Sequence, residues 1–130
     1  MKFVCLGYIE PGKFENMARN ERDGMLDDCF DYDDELRAKG HFAAGEALQP
    51  PHSAKTLRLK DSKVTVTDGP YAETREQIGG ILVLEARDLD DAVRLIGQHP
   101  GLKFGPWEIR PAGDLHAMVE ESKRRREGKA

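Results

Sequence analysis

The stretch Ile78–Ala86 constrains the fold most. It is the most apolar part of the chain and contains Ile81-Leu82-Val83-Leu84, the longest run of large apolar residues. Apolar side chains there fall on both parities, so a strand at this place offers apolar surface on both faces. Four residues fall far short of the roughly 20 that a membrane helix needs, so the run is a buried strand and not a membrane span. Gly79-Gly80 opens it. The rest of the chain must supply neighbours for its edges and cover for its faces.

The flanking residues supply them in a definite order. Residues 2–9, KFVCLGYI, read as a first strand, stopped by Pro11-Gly12. From Phe14 to Lys39 the period changes. Met25, Cys29, Tyr32 and Leu36 step by four, three and four, with Leu26 and Phe30 beside them, which makes one apolar helical stripe. Asn20 with Asp23 three residues on resembles a capping box, so the spacing predicts a short helical piece and then a main helix from about Glu21. Gly40 is a C-cap signal. Residues 42–48 read as a second strand, with Glu46 pointing the same way as Phe42 and Ala44 on period two, and Gln49-Pro50-Pro51 closes it. Residues 56–60 and 64–67 both alternate, and Asp61-Ser62 between them suits a hairpin turn. Asp68-Gly69-Pro70 is a hard stop. After the apolar strand, Asp88 caps a helix with Asp91 at its third position, and Leu89, Ala92, Val93 and Ile96 form its stripe. Pro100-Gly101 ends that helix. Trp107 and Ile109 alternate with Glu108 and Arg110 in a last strand closed by Pro111. Residues 115–126 form a short, weakly amphipathic helix that runs into the basic cluster Lys123–Arg126.

The order is strand-helix-strand, hairpin, strand-helix-strand. Two such halves, with both helices on one face of an antiparallel sheet, describe a ferredoxin-like α+β fold. At 130 residues the chain fits one domain, read as residues 1–113, followed by a C-terminal helix and basic tail over 114–130. The helices cover one face of the sheet. The other face is left apolar and bare, and the simplest cover for it is a second copy of the chain, so the pattern predicts a homodimer.

Charge and composition exclude several classes. Hydrophobic residues make up 38% and the net charge is −4, which argues against a disordered chain. A pI near 5.6 argues against whole-domain nucleic-acid binding. No secretory apolar core follows Met1-Lys2-Phe3, which predicts a cytoplasmic protein with no membrane attachment. Cys5 and Cys29 have neither a disulfide-framework nor a zinc spacing and read as two buried thiols. The four histidines show no ligand spacing, so no metal is expected. No P-loop, nucleophile elbow or dinucleotide fingerprint occurs, and no cofactor is expected.

The stretch VTDGPYAETREQIGG, residues 66–80, resembles the signature of the DGPF-type, YCII-related domain family of bacteria. Residues 46–51, EALQPP, residues 85–90, EARDLD, and residues 108–111, EIRP, resemble the family in the same order. The resemblance runs from about residue 1 to residue 113. It implies the dimeric α+β-barrel version of the ferredoxin-like fold. Most members of this type have no assigned reaction. The wider group is thought to use a His–Asp pair with its histidine on the first helix, and one type removes chloride from a chlorinated ring-cleavage product. Residues 21–39 of this chain contain no histidine, and Asp27, Asp28 and Cys29 occupy the middle of that segment. Many such proteins are encoded beside alternative sigma factors, which implies an accessory setting in transcription as the other reading.

Several residues are candidates for a site. Asp68 stands in a turn where Gly69 and Pro70 fix the backbone, and it either caps that turn or presents a carboxylate to a pocket. Glu46 is an acid in line with apolar residues and flanked by Gly45 and Ala47, which leave room for a ligand. Tyr8, Tyr71 and His52 complete the candidate pocket, a cleft between the sheet and the first helix suited to a small polar or carboxylated molecule. Arg75 is a possible carboxylate partner. His41 and His99 flank Gly40 and Pro100, where cap-like roles suffice for both.

Overall fold

The computed structural model describes residues 1–129. Strand β1 (Lys2–Ile9) leads through a single turn α1 (Pro11–Glu15) into the long helix α2 (Arg19–Ala38). Strand β2 (Phe42–Ala47) follows, then β3 (Lys55–Lys60) and β4 (Lys63–Asp68), then β5 (Gln77–Glu85). Helix α3 (Leu89–Ile96), strand β6 (Trp107–Pro111) and helix α4 (Leu115–Glu127) complete the chain. The order and class are those expected from the sequence. Strands β2, β5, β1 and β6 form one sheet in that spatial order, antiparallel throughout.

The most apolar stretch is a central strand, with β5 lying between β1 and β2. Its register sorts the side chains. Phe3 faces Leu84 and Cys5 faces Leu82, and all four are buried under the helices. Leu36 of α2 and Ala92, Leu95 and Ile96 of α3 close over them. Burying a Leu or Phe side chain stabilises by about 1.5–3 kcal/mol each, so this small cluster carries most of the packing energy. Val4 faces Val83 and Leu6 faces Ile81 on the opposite, open face, where no helix of this cluster lies.

Local signals decide the helix ends. Lys39 closes α2, Gly40 follows at φ +79°, and the N–H groups of Gly40 and His41 donate to the carbonyls of Arg37 and Leu36 at 3.0 and 2.8 Å. That is a Schellman cap, and the left-handed residue makes glycine the fitting choice. The start of α2 departs from expectation. Its N-cap position is Ala18, with no side-chain cap, so the Asn20–Asp23 box does not form. Asn20 lies inside the first turn and its side-chain oxygen takes the next N–H, that of Glu21, at 3.0 Å. The stripe of α2 holds at Cys29, Tyr32 and Leu36, but Phe30 stays outside the core and is exposed. The stripe of α3 is rotated. Leu95 joins Ala92 and Ile96 in the core, while Leu89 and Val93 face outward.

A bulge in β2 corrects a second expectation. Phe42 pairs with Leu84 and Ala44 with Val83, so one extra residue, Ala43, is inserted between them. Phe42 therefore lies on the helix side, whereas Ala44 and Glu46 lie on the open side, Glu46 opposite Ile81. The β3–β4 hairpin is a separate two-stranded sheet, an arm whose turn residues Asp61 and Ser62 both have positive φ. That is the twist a two-residue hairpin needs.

Asp88 caps α3 as expected. Its Oδ1 accepts the Asp91 N–H at 2.8 Å, and Asp91 Oδ2 accepts the Arg87 N–H at 3.0 Å. Asp91 Oδ1 also takes Arg94 Nη2–H at 2.7 Å. The backbone N–H and the guanidinium hold the Asp91 carboxyl below the ordinary carboxylate range. A depressed native pKa means stability that is complete above the unfolded value, about 3.9, and lost as pH falls through the native one. Asp91→Asn is therefore expected to be less stable than the parent at pH 7, and the gap is expected to shrink in urea melts taken below pH 3. A gap that does not change with pH would refute this role.

Candidate functional site

The long helix does not lie flat on the sheet. Between α2, the end of β1 and the segment after α3, a cleft of about 480 Å³ remains. Its walls are aromatic: Phe14, Phe30, Phe42, Phe104 and Trp107. Phe14 and Phe104 meet edge to face at 5.2 Å. Polar groups are few there, and Asp33, Arg37, Cys29 and His99 stand out among them. A largely apolar cavity with a few converging polar groups is the usual form of a small-molecule site.

Asp33 and His99 are the centre of this cleft. They are separated by 66 residues, yet His99 Nε2 lies 2.9 Å from Asp33 Oδ1. The His99 side chain is only 4% exposed and Asp33 19%. Pro100 begins a single 3-10 turn, Pro100–Lys103, and His99 is its N-cap. The Gly101 N–H donates to His99 Nδ1 at 2.9 Å. Nδ1 is thereby an acceptor, so Nε2 carries the proton and donates it to the carboxylate. The ring is clamped on both sides, by Tyr32 at 5.4 Å edge-on and by Trp107 at 4.9 Å. Tyr32 is itself held, its hydroxyl donating to the Leu95 carbonyl at 2.6 Å. Among the described residues, His99 Nε2 is the hydrogen-bond partner of Asp33, and the second carboxylate oxygen has none in the protein.

The neighbours of Asp33 follow from the helix. Cys29 lies one turn before it and Arg37 one turn after, on the same side. Burial, with the nearby carboxylates of Asp33 and Asp28, pushes the Cys29 thiol up to about 11. A thiol so placed stays protonated at neutral pH and is a poor nucleophile. Arg37 pairs with Asp34 at 2.8 Å, and its guanidinium stacks 4.0 Å from the Phe42 ring centre. It supplies a fixed positive charge at the cleft.

The residues singled out from the sequence do not meet in one place. Tyr8 and Glu46 line the cleft, Glu46 at the β2 edge. Strand alternation puts the Glu46 side chain on the open face, so it is the main chain of this residue that meets the cleft. Asp68 and His52 line a different, open groove of about 550 Å³ between the base of the arm and α1. Asp68 is 84% exposed and forms an ion pair with Lys55 across the arm. Gly69, at φ +96°, donates its N–H to the Ala54 carbonyl and accepts from the Thr56 hydroxyl, so the turn is tied to the arm at its root. Tyr71 lies in neither cavity; its ring is exposed, with the Arg58 guanidinium 5.6 Å from its centre. Arg75 pairs with Glu10 at 2.9 Å and ties the loop after the arm to the end of β1. His41 Nδ1–H donates to the Glu85 carbonyl, 2.8 Å away, and braces the sheet edge.

The Asp33–His99 pair escaped the sequence reading. His99 does cap its turn, as its place before Pro100 implies, but only one ring nitrogen is used for that. The available signal was Asp33 itself, an acid four residues after Cys29 on the inner stripe of α2. Nothing local linked it to His99.

Comparison with known proteins bears on this arrangement. The family profile of the YCII-related domain matches residues 1–115. An uncharacterized protein of Rhizobium meliloti (strain 1021) is 27% identical over 115 residues, 85% of this chain and 91% of that one. Among solved structures, the 5-chloro-2-hydroxyhydroquinone dehydrochlorinase of Burkholderia phenoliruptrix, in complex with 2,5-dihydroxybenzoquinone, aligns with a TM-score of 0.52. That alignment covers 87% of this chain and 94% of that one at 17% identity, and it shows a shared fold.

Gly101 is the sharpest test of the clamp. A Cβ on it would stand 2.9 Å from His99 Nδ1 and 3.1 Å from the Trp107 ring. Gly101→Ala is expected to destabilise by about 1–3 kcal/mol, as overpacking does. It is also expected to displace the His99 ring, seen as loss of the protected His99 Nε2–H resonance in proton NMR. An unchanged resonance would mean that the ring is held by something other than this contact.

Proposed function

The chain belongs to the YCII-related domain family, and from the cleft it carries we propose that it is a small-molecule enzyme in which Asp33 takes a proton from a flat, hydroxylated or carboxylated ring. The observation that carries the proposal is the buried Asp33–His99 hydrogen bond of 2.9 Å within an aromatic-walled cavity. His99 fixes one carboxylate oxygen and leaves the other toward the cleft. The aromatic walls suit a planar ring. Arg37 suits a carboxylate or phenolate on that ring. His99 does not pass the proton on, because Nδ1 already accepts the Gly101 N–H. Asp33 therefore keeps the proton until it is returned to product or solvent. General-base catalysis of this kind contributes about 10²–10⁴-fold.

The solved neighbour supports the choice of ligand class, since its bound molecule is a dihydroxylated quinone. The test uses that compound and related hydroxyquinones and hydroxybenzoates as probes, with isothermal titration and NMR. One molecule per chain is expected, shifting Trp107 and Phe104 resonances. Asp33→Asn keeps the shape and an acceptor for His99, so it is expected to fold within about 1 kcal/mol of the parent. Any turnover is expected to fall at least 100-fold in this variant. If none of the probes enters the cleft at millimolar concentration, the alternative of a non-catalytic accessory protein gains. Asp33→Asn with full activity would also sink the assignment.

The same proposal includes a homodimer. Val4, Leu6, Ile81 and Val83 form the apolar centre of the open sheet face, and Glu46, Glu108 and Arg110 stand at its margins. An apolar centre with a charged rim is the anatomy of an interface. Sedimentation at micromolar concentration is expected to give twice the 14.6 kDa chain mass. The chain mass itself would refute the dimer.

A further inference from the structure

The β3–β4 arm is the least explained part of the fold. Leu57 pairs with Val66 and Leu59 with Val64, so these four side chains share one face of the hairpin. They are 59–73% exposed. The other face carries Thr56, Arg58 and Lys60 opposite Thr67, Thr65 and Lys63. The arm is thus amphipathic in the manner of a sheet built to be covered on one side and wet on the other. A two-stranded hairpin is at best marginally stable alone, so this face needs a cover. Its own chain does not supply one, because the arm forms its own sheet apart from the four-stranded one.

We infer that the arm of one copy lays this stripe against the open sheet face of a second copy. The inference rests on the sheet-face dimer proposed above and names what completes it. A stable interface takes about 800 Å² from each partner, some 20–30 residues. The centre of the sheet face offers four apolar side chains, Val4, Leu6, Ile81 and Val83, which is too few by itself. The arm adds four more, and two-fold symmetry makes the contact twice, the arm of each copy on the face of the other. The polar arm face, with Arg58, Lys60 and Lys63, then stays in water. The root of the arm is fixed for such a reach by the Gly69–Ala54 and Thr56–Gly69 hydrogen bonds. A second copy is the occupant that fits, because the chain itself carries both the apolar stripe and the apolar face, and neither covers the other.

Two measurements on the full chain test it. Val64→Asp puts a charge in the stripe and Thr65→Asp puts one on the opposite arm face; neither position touches the core. The first is expected to raise the dimer dissociation constant at least tenfold in sedimentation equilibrium, and the second to leave it unchanged. Separately, chains bearing Leu59→Cys are mixed with chains bearing Val83→Cys and oxidised. A disulfide-linked heterodimer is expected, and parent chains, whose Cys5 and Cys29 are buried, are expected to give none. An intact dimer that ignores Val64→Asp, or a mixture without the cross-link, overturns the arm while leaving the sheet-face dimer standing. A parent chain that sediments as a monomer overturns both.

Discussion

The pairing of β1 with β5 is the constraint on which the rest depends. It is the longest ladder in the fold, running from Lys2 opposite Glu85 to Ile9 opposite Gln77. It sets Phe3, Cys5, Leu82 and Leu84 on one side and Val4, Leu6, Ile81 and Val83 on the other. A slip of one residue would exchange the two sets and leave Leu36 and Leu95 with nothing to pack on. Both helices are placed by that register. So is the cleft, because β1 carries Gly7 near its end, where a Cβ would stand 2.8 Å from the Trp107 ring. The missing side chain lets Trp107 lie over the strand and press on His99.

The cleft chemistry is an outcome of packing as much as of charge. His99 is held by two aromatic neighbours, one backbone donor and one carboxylate, drawn from α2 (Tyr32 and Asp33), its own turn (Gly101) and β6 (Trp107). The carboxylate that results is oriented, half sheltered and next to a protonated thiol and a stacked guanidinium. An acid so fixed has little freedom to lose when a ligand arrives, which is the condition for a precise proton acceptor.

Much of the fold was legible because its punctuation is local. Pro11, Gly40, Pro50-Pro51, Gly69-Pro70 and Pro111 mark the boundaries of their elements through backbone restrictions that no partner can override. The Asp88 cap was legible for the same reason. The Asn20 box looked equivalent, yet the helix begins at Arg19 and the box is not made. The bulge at Ala43 was not legible, since an inserted residue leaves no mark in a small-residue strand, and it reversed the face of Glu46. The site was least legible of all. Asp33 and His99 meet only after the sheet has placed α2 beside the turn after α3, while Asp68 of the DGP stretch stands instead at the root of the arm. A conspicuous motif identified the family, while the pocket chemistry lay in residues with no motif.

The uneven placement of buried residues has a consequence for how the molecule breathes. The core draws on β1, β5, α2 and α3, whereas α4 has no buried residue and the arm buries none of its large apolar side chains. Opening either appendage exposes little that was dry, so it costs far less than opening the centre. Amide exchange in the isolated chain would therefore fall into tiers, with the arm and the last helix exchanging through small local openings and β1 and β5 only through global unfolding. Cooperativity in this protein belongs to the centre of the fold, and the arm and last helix behave as attachments whose order is set by what they touch.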